Sequence, residues 1–479
     1  MKDNTLGHLR FGRKVAYATP AFALAVVGIP VYVYIPKFYT DVVGVPISLM
    51  GLILLGVRLF DAVTDPAIGL LSDHTVTRWG RRRPYIAIAS ILVAVSVCAL
   101  FNPPSWTSAT METIWFSVWI FALFLFWTLV VVPYESLGPE LTFDYHERTS
   151  LFALRDGFLI AGTLAAASAP GVIDWAYDLT GSPQDEKKKF FIMSALYAPL
   201  IIACCYYCVL RIREIPIHMK KKPVDLQRTL QDIAHNRPFI ILMISYVISA
   251  FGNQLPATLI LFYVQYVLKS DYANFFLVLY FFTGVAFLPL WIVVSKKIGK
   301  KVAWLISMVI NTGAFIGVLF LGAGDEIAYG IIVVFSGIGF GASLALPSAI
   351  QADVIDYDEL ISGLRREGLF IGIWSVAKKL AAAFGVGISL YLLGYVGYEP
   401  NIEQSGAVVL ALKLLYGLVP CLCNIIAFMV ALLYPISQEK HRQIRSLIEE
   451  RGAESPVKDP LKDRTLKSTN DTFNQRSDT

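Results

Sequence analysis

A run of about 20 predominantly apolar residues recurs twelve times along this chain, and that recurrence restricts the fold more than any other feature. Such a run is long enough to cross the roughly 30 Å hydrocarbon core of a bilayer as a helix. The runs lie near 15–36, 46–72, 84–101, 112–138, 150–172 and 189–210, and, after a polar stretch from Arg211 to Arg237, near 238–268, 272–294, 302–322, 326–350, 367–394 and 409–435. Hydrocarbon offers backbone groups no water, so each run must satisfy its own hydrogen bonds as a helix. A charged content of 16% against 56% hydrophobic residues excludes an ordinary soluble domain. The expected fold is an all-α polytopic membrane protein: residues 1–210 and 238–435 form two six-helix bundles, 211–237 a central loop and 436–479 a tail. Within the tail, Glu439–Arg451 suits a short amphipathic helix, and the stretch beyond Gly452 reads as disordered.

Basic residues set the expected orientation. Lys2 to Lys14, Arg78 to Arg83, Lys220 to Lys222, Lys296 to Lys301, Arg365 with Arg366, and the tail fall on one side, which the positive-inside rule makes cytoplasmic, termini included. The alternate loops near 102–111, 323–326 and 395–408 hold no Lys or Arg. Lys187 to Lys189 are the exception, and Asp185 and Glu186 just ahead of them supply local neutralisation. The first apolar run is too long for a signal peptide and lacks a small-residue cleavage site, so it is expected to be retained. The cysteines, Cys98, Cys204, Cys205, Cys208, Cys421 and Cys423, all fall in apolar runs and read as reduced, packed thiols. A net charge of +5 dispersed over short loops gives no footprint for nucleic acid. A monomer in the plasma (inner) membrane is expected.

The second run contains Val57-Arg58-Leu59-Phe60-Asp61-Ala62-Val63-Thr64-Asp65-Pro66. On a helix, Arg58, Asp61 and Asp65 share one face. A charge at bilayer depth costs on the order of 3 kcal/mol, so such a cluster needs partners and usually a task. Pro66 lacks an N–H, which frees the Ala62 carbonyl beside both acids. Two carboxylates, that carbonyl and the Thr64 hydroxyl would make an oxygen-rich cation site. Further polar residues interrupt other runs. Thr128, after Trp127, supplies either another cation oxygen or a bond back to its own helix. Lys379 lies roughly 18 Å into its run at about 1.5 Å per residue, too deep to snorkel, so it must pair with an acid or face water; Asp61 and Asp65 are its natural partners. Its neighbour Lys378 points about 100° away and is read as structural. Arg155 lies in the fifth run, and Glu135 either pairs with it or lines a cavity. Asn253 and Gln254 sit beside Pro256, where the seventh helix is expected to break, as gate or substrate contacts or as inter-helix hydrogen bonds.

The halves also repeat. The turn Ser72 to Pro84, with Gly80 before Arg81 to Arg83, matches Ser295 to Lys301, with Gly299 before Lys300 and Lys301. Pro139 followed by Asp144 to Arg148 matches Pro347 followed by Asp356 to Glu359. Repeated halves are how many transporters build a site at their interface. The loops holding Asp144, Arg148, Asp356, Glu359 and Arg365 are expected to form a cytoplasmic gate of salt bridges.

With these stretches in view, and with Phe38-Tyr39-Thr40-Asp41-Val42-Val43-Gly44, Asp353 to Tyr357 and Arg365 to Phe370, the chain resembles the glycoside-pentoside-hexuronide:cation symporters of the major facilitator superfamily, the melibiose permease relatives. The resemblance covers essentially all twelve runs. It implies that Asp61 and Asp65 bind the coupling Na⁺, Li⁺ or H⁺ with help from Thr128, that Lys379 adjoins that site, and that Arg155 lines a substrate cavity; Arg58, Tyr32 and Trp127 complete the substrate and coupling set. Melibiose permease has sugar-binding aspartates at positions that correspond here to Ala25 and Val131. The implied function is cation-coupled symport of a sugar, glycoside or related small solute, with no cofactor; the alternative is a lysophospholipid or other lipid-like cargo, since lysophospholipid symporters share this scaffold. An intramembrane aspartyl protease places its acids on separate facing helices, unlike Asp61 and Asp65. A non-transporting sensor on the same fold is the remaining rival.

Overall fold

Capping residues explain where several helices start. Ser182 accepts the backbone N–H of Asp185, Asn236 that of Phe239 and Ser405 that of Val408, each satisfying a donor that has no partner in the first turn. Pro183 and Pro238 stand within that first turn, where the missing N–H costs nothing. The computed structural model describes residues 10–75, 77–105, 108–141, 145–212, 214, 233, 235–362, 367–451, 457–459 and 464–466.

Among them, 12 helices are long and apolar enough to cross a membrane. They are α1 (Phe11–Val43), α2 (Ile47–His74), α3 (Arg83–Phe101), α4 (Ala109–Leu141), α5 (Tyr145–Tyr177), α6 (Pro183–Arg211), α7 (Arg237–Tyr266), α8 (Ala273–Ile298), α9 (Lys300–Phe320), α10 (Glu326–Ser362), α11 (Glu367–Tyr395) and α12 (Gly406–Leu432). A shorter helix, α13 (Gln438–Arg451), follows on the tail, and beyond it Val457–Asp459 pairs antiparallel with Arg464–Leu466.

Packing repeats with the halves. In the first half α1 packs on α5 and α6, α2 on α4, and α3 on α4 and α6; in the second, α7 packs on α11 and α12, α8 on α10, and α9 on α10 and α12. Two extended helix seams join the halves, α2 with α11 and α5 with α8, and the Pro30–Tyr34 stretch of α1 also meets α7. At the first, glycine sets the distance: a Cβ on Gly51 would lie 2.7 Å from the Gly387 carbonyl oxygen.

The repeated turns also share a conformation. Gly80 has φ 110° and Gly299 φ 89°, a region that suits glycine. At the first turn, Glu214 accepts the backbone N–H groups of Arg81, Arg82 and Arg83 at 2.6, 2.9 and 2.9 Å, an anion set at a helix N-terminus. At the second, Lys300 reaches Asp353 and Lys301 reaches the carbonyls of Leu432 and Tyr434. Glu214→Ala is expected to lower stability by about 2 kcal/mol, the scale of charge-assisted hydrogen bonds, read as a lower Tm in detergent with the fold retained.

The structure departs from the sequence reading in several places. The seventh helix is not broken: Pro256 lies inside an uninterrupted α7, because neighbouring helices can hold a proline-containing helix together. α10 runs on past 350 to Ser362, so Asp356 and Glu359 sit on helix rather than loop. α1 contains two π-helical stretches, Pro30–Tyr34 and Tyr39–Val43, which apolar periodicity does not reveal. The exception at Lys187 to Lys189 is not alone at its end, since Lys37 and Lys269 also lie there. Each of these bases is accommodated locally: Lys189 pairs with Asp174 and Glu186, Lys37 with Asp41, and Lys269 with Glu403. The Lys269 ammonium holds the exposed Glu403 carboxyl below its usual range. The six cysteines are all free.

Candidate cation and substrate site

α2 presents Arg58, Asp61 and Asp65 on one face, yet they turn to different partners. Arg58 is buried and donates from Nη1 to the Tyr32 hydroxyl at 2.9 Å. Its guanidinium stacks 4.2 Å from the Tyr32 ring centroid and 4.5 Å from that of Phe124, replacing lost hydration with two ring faces. Arg58 therefore anchors α2 to α1 and α4 and leaves both acids to other groups. Trp127 extends this wall beside Gly28 and Tyr32.

Asp61 is 3% exposed and accepts the Thr128 hydroxyl on Oδ1 at 2.6 Å. Its Oδ2 lies 3.1 Å from the Lys379 ammonium, which also donates to Asp65 Oδ2. One cation from α11 thus bridges two acids on α2, across the seam between the halves. Asp65 Oδ1 is buried and has no hydrogen-bond partner. A buried carboxylate oxygen without a partner is costly, and a metal cation or a proton would satisfy it. The donor set is all oxygen, which suits a hard cation such as Na⁺. The Thr64 hydroxyl bonds back to the Asp61 carbonyl at 3.3 Å, so it serves the helix; Ala62 lies on the adjoining turn, its carbonyl freed by Pro66. Thr128→Val is expected to weaken cation binding about tenfold, the loss of one hydrogen-bonding oxygen, measured by cation-dependent thermal stabilisation.

Beyond the acids opens a cavity of ≈ 980 Å³, walled chiefly by the second half, with Phe152 from α5. Gln254, Asn253 and Lys378 reach it. Lys378, read as structural from its position on the helix, therefore faces the cavity instead; α11 faces both α2 and the cavity, so adjacent residues serve both surfaces. Asn253 also belongs to a buried amide network, accepting from Asn311 at 3.5 Å and Asn424 at 3.4 Å. Arg155 does not pair with Glu135. It donates to Asp156 at 2.7 and 2.9 Å and stacks 4.9 Å from Phe152. Glu135 is exposed, within electrostatic reach of Arg155, Lys379, Asp65 and Lys378. Val131 is half-buried on α4, and Ala25 lies in the α1–α5 contact, where a Cβ on Gly162 would come within 2.9 Å of it.

Two ends of the interface differ. At the end opposite α13, Asp41 on α1 is the hub of a seal: Lys37 reaches Asp41 at 2.6 Å and Gln265 of α7, the Tyr398 hydroxyl donates to Asp41 at 2.8 Å, and the Asn401 amide donates to the Asp41 carbonyl at 2.5 Å. Burial beside Asp41 pushes the Tyr398 hydroxyl far above its ordinary value, which keeps it protonated as a donor. Sequence reasoning singled out the Phe38–Gly44 stretch only as a resemblance, because nothing in spacing ties residue 41 to residue 398. At the other end the cavity reaches Asp356 and Arg445. Asp356 accepts from His441 at 2.9 Å and Arg445 at 3.2 Å, both on α13, while Asp353 takes Lys300 at 2.5 Å. Glu359 is half-buried on the same helix. Asp144 and Arg365 lie outside the described residues, as does the side chain of Arg148.

Comparison with known proteins follows this geometry. Residues 16–438 match the family model described as MFS/sugar transport protein. The chain is 28% identical to an uncharacterised symporter, YjmB, of Bacillus subtilis (strain 168), over 86% of this chain and 89% of that one. It is likewise 28% identical to the glucuronide carrier protein homolog of Escherichia coli (strain K12), over 87% and 91%. Among solved structures, a bacterial homologue of the human lysosomal transporter Spinster, inward-facing and unoccupied, superposes with TM-score 0.66 at 12% identity, over 92% of this chain and 99% of that one, which speaks to the fold alone.

Proposed function

We propose that this chain, which belongs to the MFS/sugar transport protein family, moves a sugar or glycoside across the membrane together with a cation, Na⁺ or H⁺, by alternating access. The family and the fold make it a multi-pass membrane transporter rather than an enzyme. The coupled cargo rests chiefly on one observation: the Lys379 ammonium bridges Asp61 and Asp65 across the seam, leaving Asp65 Oδ1 buried and unpartnered. Without a bound cation the two carboxylates outweigh the one ammonium by a negative charge. A cation cancels that charge, which lowers the cost of enclosing the site in a dry barrier, so the loaded carrier reorients more readily than the empty one. Asp61, Asp65 and Thr128 would hold the ion, with Lys379 displaced toward the cavity. Membrane potential contributes about 2.3 kcal/mol per charge per 100 mV to inward cation movement.

The Lys- and Arg-rich end, which holds α13, is assigned to the cytoplasm on the charge bias of its loops. The state described is then sealed outside by Asp41 and its partners and open inside. When the inner end shuts, Asp356 is proposed to exchange His441 and Arg445 for bases of the first half, Arg148 foremost; charge reversal at Arg148 restoring function to an Asp356→Arg carrier would support that exchange. The central test is uptake by proteoliposomes across sugars, glycosides and lysolipids under separate Na⁺ and H⁺ gradients. Uptake that follows one gradient supports the reading, and uptake indifferent to both sinks it.

A further inference from the structure

Each half covers its glycine turn with the segment that follows its last helix. At the first turn that residue is Glu214, just after α6, and its carboxylate takes the backbone N–H groups of Arg81, Arg82 and Arg83. At the second it is Gln438, the first residue of α13. A Cβ on Gly299 would lie 3.7 Å from Gln438 Oε1, and the Gln438 amide donates to the Lys296 carbonyl at 3.3 Å. A neutral amide therefore stands where the first half has an anion, and the N-terminus of α9 has no side-chain cap.

Beside this second turn lies a cavity of ≈ 230 Å³, walled also by α10 and α13. Lys296, Lys300, Lys301, His441 and Arg442 line it against a single carboxylate, Asp353. That acid is already engaged by Lys300 at 2.5 Å and His441 at 3.3 Å. Lys301 donates to two backbone carbonyls, and Lys296 and Arg442 make no ion pair among the described residues. A basic rim alone would serve membrane orientation, but this cavity holds a further donor. The Tyr434 hydroxyl is buried and has no hydrogen-bond partner among the described residues, and Tyr434 lines the cavity. Burial and then the Asp353 charge push that hydroxyl well above its ordinary value, so it stays protonated as a donor. A stranded buried donor is costly, and orientation in a membrane does not call for one. Ammonium, guanidinium and hydroxyl donors beside the positive end of a helix suit a tetrahedral oxyanion.

We propose that this cavity binds a phosphate group, held by Lys296, Arg442 and the Tyr434 hydroxyl in the place that Glu214 fills in the first half. Free phosphate and the headgroup of an acidic lipid share that chemistry. Either would tie α13 to the α8–α9 turn, at a site separate from the central cavity and from Asp61 and Asp65.

The test reads the Tm of the full-length carrier in neutral detergent, titrated with Tris phosphate against Tris chloride at equal ionic strength and pH, so that no metal cation varies. A parallel arm compares nanodiscs of phosphatidylglycerol with nanodiscs of phosphatidylcholine. Saturable stabilisation by phosphate in detergent identifies free phosphate as the ligand, and stabilisation confined to phosphatidylglycerol identifies the headgroup. Lys296 and Arg442 are exposed, so their variants should fold, which the Tm without ligand checks. Lys296→Gln and Arg442→Gln are each expected to weaken phosphate affinity about tenfold, the loss of one charge-assisted hydrogen bond, or to erase the phosphatidylglycerol gain. Arg442→Lys should keep most of either effect, and Tyr434→Phe should weaken affinity about fivefold, the loss of one neutral hydrogen bond. No saturable gain in either arm overturns the proposal, as does a gain that chloride reproduces or that both glutamine variants retain. A gain that needs the two bases but is unchanged in Tyr434→Phe would mark an adventitious ion only, on the open face of α13, and overturns the cavity site as well.

Discussion

Asp61→Asn and Asp65→Asn carriers are each expected to lose cation-driven accumulation by about a hundredfold or more while still reaching the membrane. Removing one partner of a buried, hydrogen-bonded ion pair costs about 3–5 kcal/mol, because the other charge is left uncompensated. Here the abandoned charge is Lys379, which each acid holds directly. The two variants should differ in kind. Asp61 is the more enclosed and the one bonded to Thr128, so its loss disturbs both halves of the site. Asp65 contributes the oxygen with no protein partner, so its loss should fall most heavily on ion affinity. Cation-dependent thermal stabilisation and substrate counterflow separate these effects. Counterflow that persists without accumulation indicates a carrier that still exchanges cargo but no longer couples it. Accumulation at the normal level in both variants would remove these residues from coupling.

A Gly51→Leu carrier is expected to lose transport to a similar degree for a different reason. A Cβ at that position already meets the Gly387 carbonyl oxygen at 2.7 Å and the Tyr391 nitrogen at 2.8 Å, contacts with backbone that no rotamer relieves. Overpacking of this kind costs about 1–3 kcal/mol in a core, and here it falls on one state only, the state with α2 and α11 closed at the Asp41 end. Populations should shift toward the opposite opening by about 5- to 150-fold. Labelling of a cysteine placed at Gln265, which contacts Lys37 in the seal, measures the shift from the Asp41 end. Unchanged labelling together with normal uptake would show that this close approach does not limit the cycle.

Much of the fold was legible in the sequence because hydrocarbon imposes a simple condition: a run must be apolar, helical and about 20 residues long. The helices, the paired halves and the meeting of Asp61, Asp65 and Lys379 could be reasoned from that condition and from the expense of stranded charge, whereas Thr128 joined them only through the family resemblance. What escaped depends on which face of a helix meets which neighbour. Arg58 shares a face with the acids, yet two rings from α1 and α4 take its guanidinium. Lys378 read as structural because it points about 100° away from Lys379, and sequence does not show that the cavity lies on that side. The Asp41 seal joins residues more than 350 positions apart, and no periodicity carries that information. The interruption expected at Pro256 failed for the opposite reason, since a local rule was overridden by the helices packed around it.

The duplicated architecture is broken at the seam that carries the proposed cation site. Seam α2–α11 and seam α5–α8 occupy equivalent places in the repeat, yet the charged bridge crosses only the first, and among the described ion pairs none joins α5 to α8. The two halves thus meet through a charged bridge on one flank and without one among the described ion pairs on the other. If the carrier rocks as proposed, the motion should be lopsided, the α2–α11 flank being held by charge and the α5–α8 flank by packing alone among the described contacts.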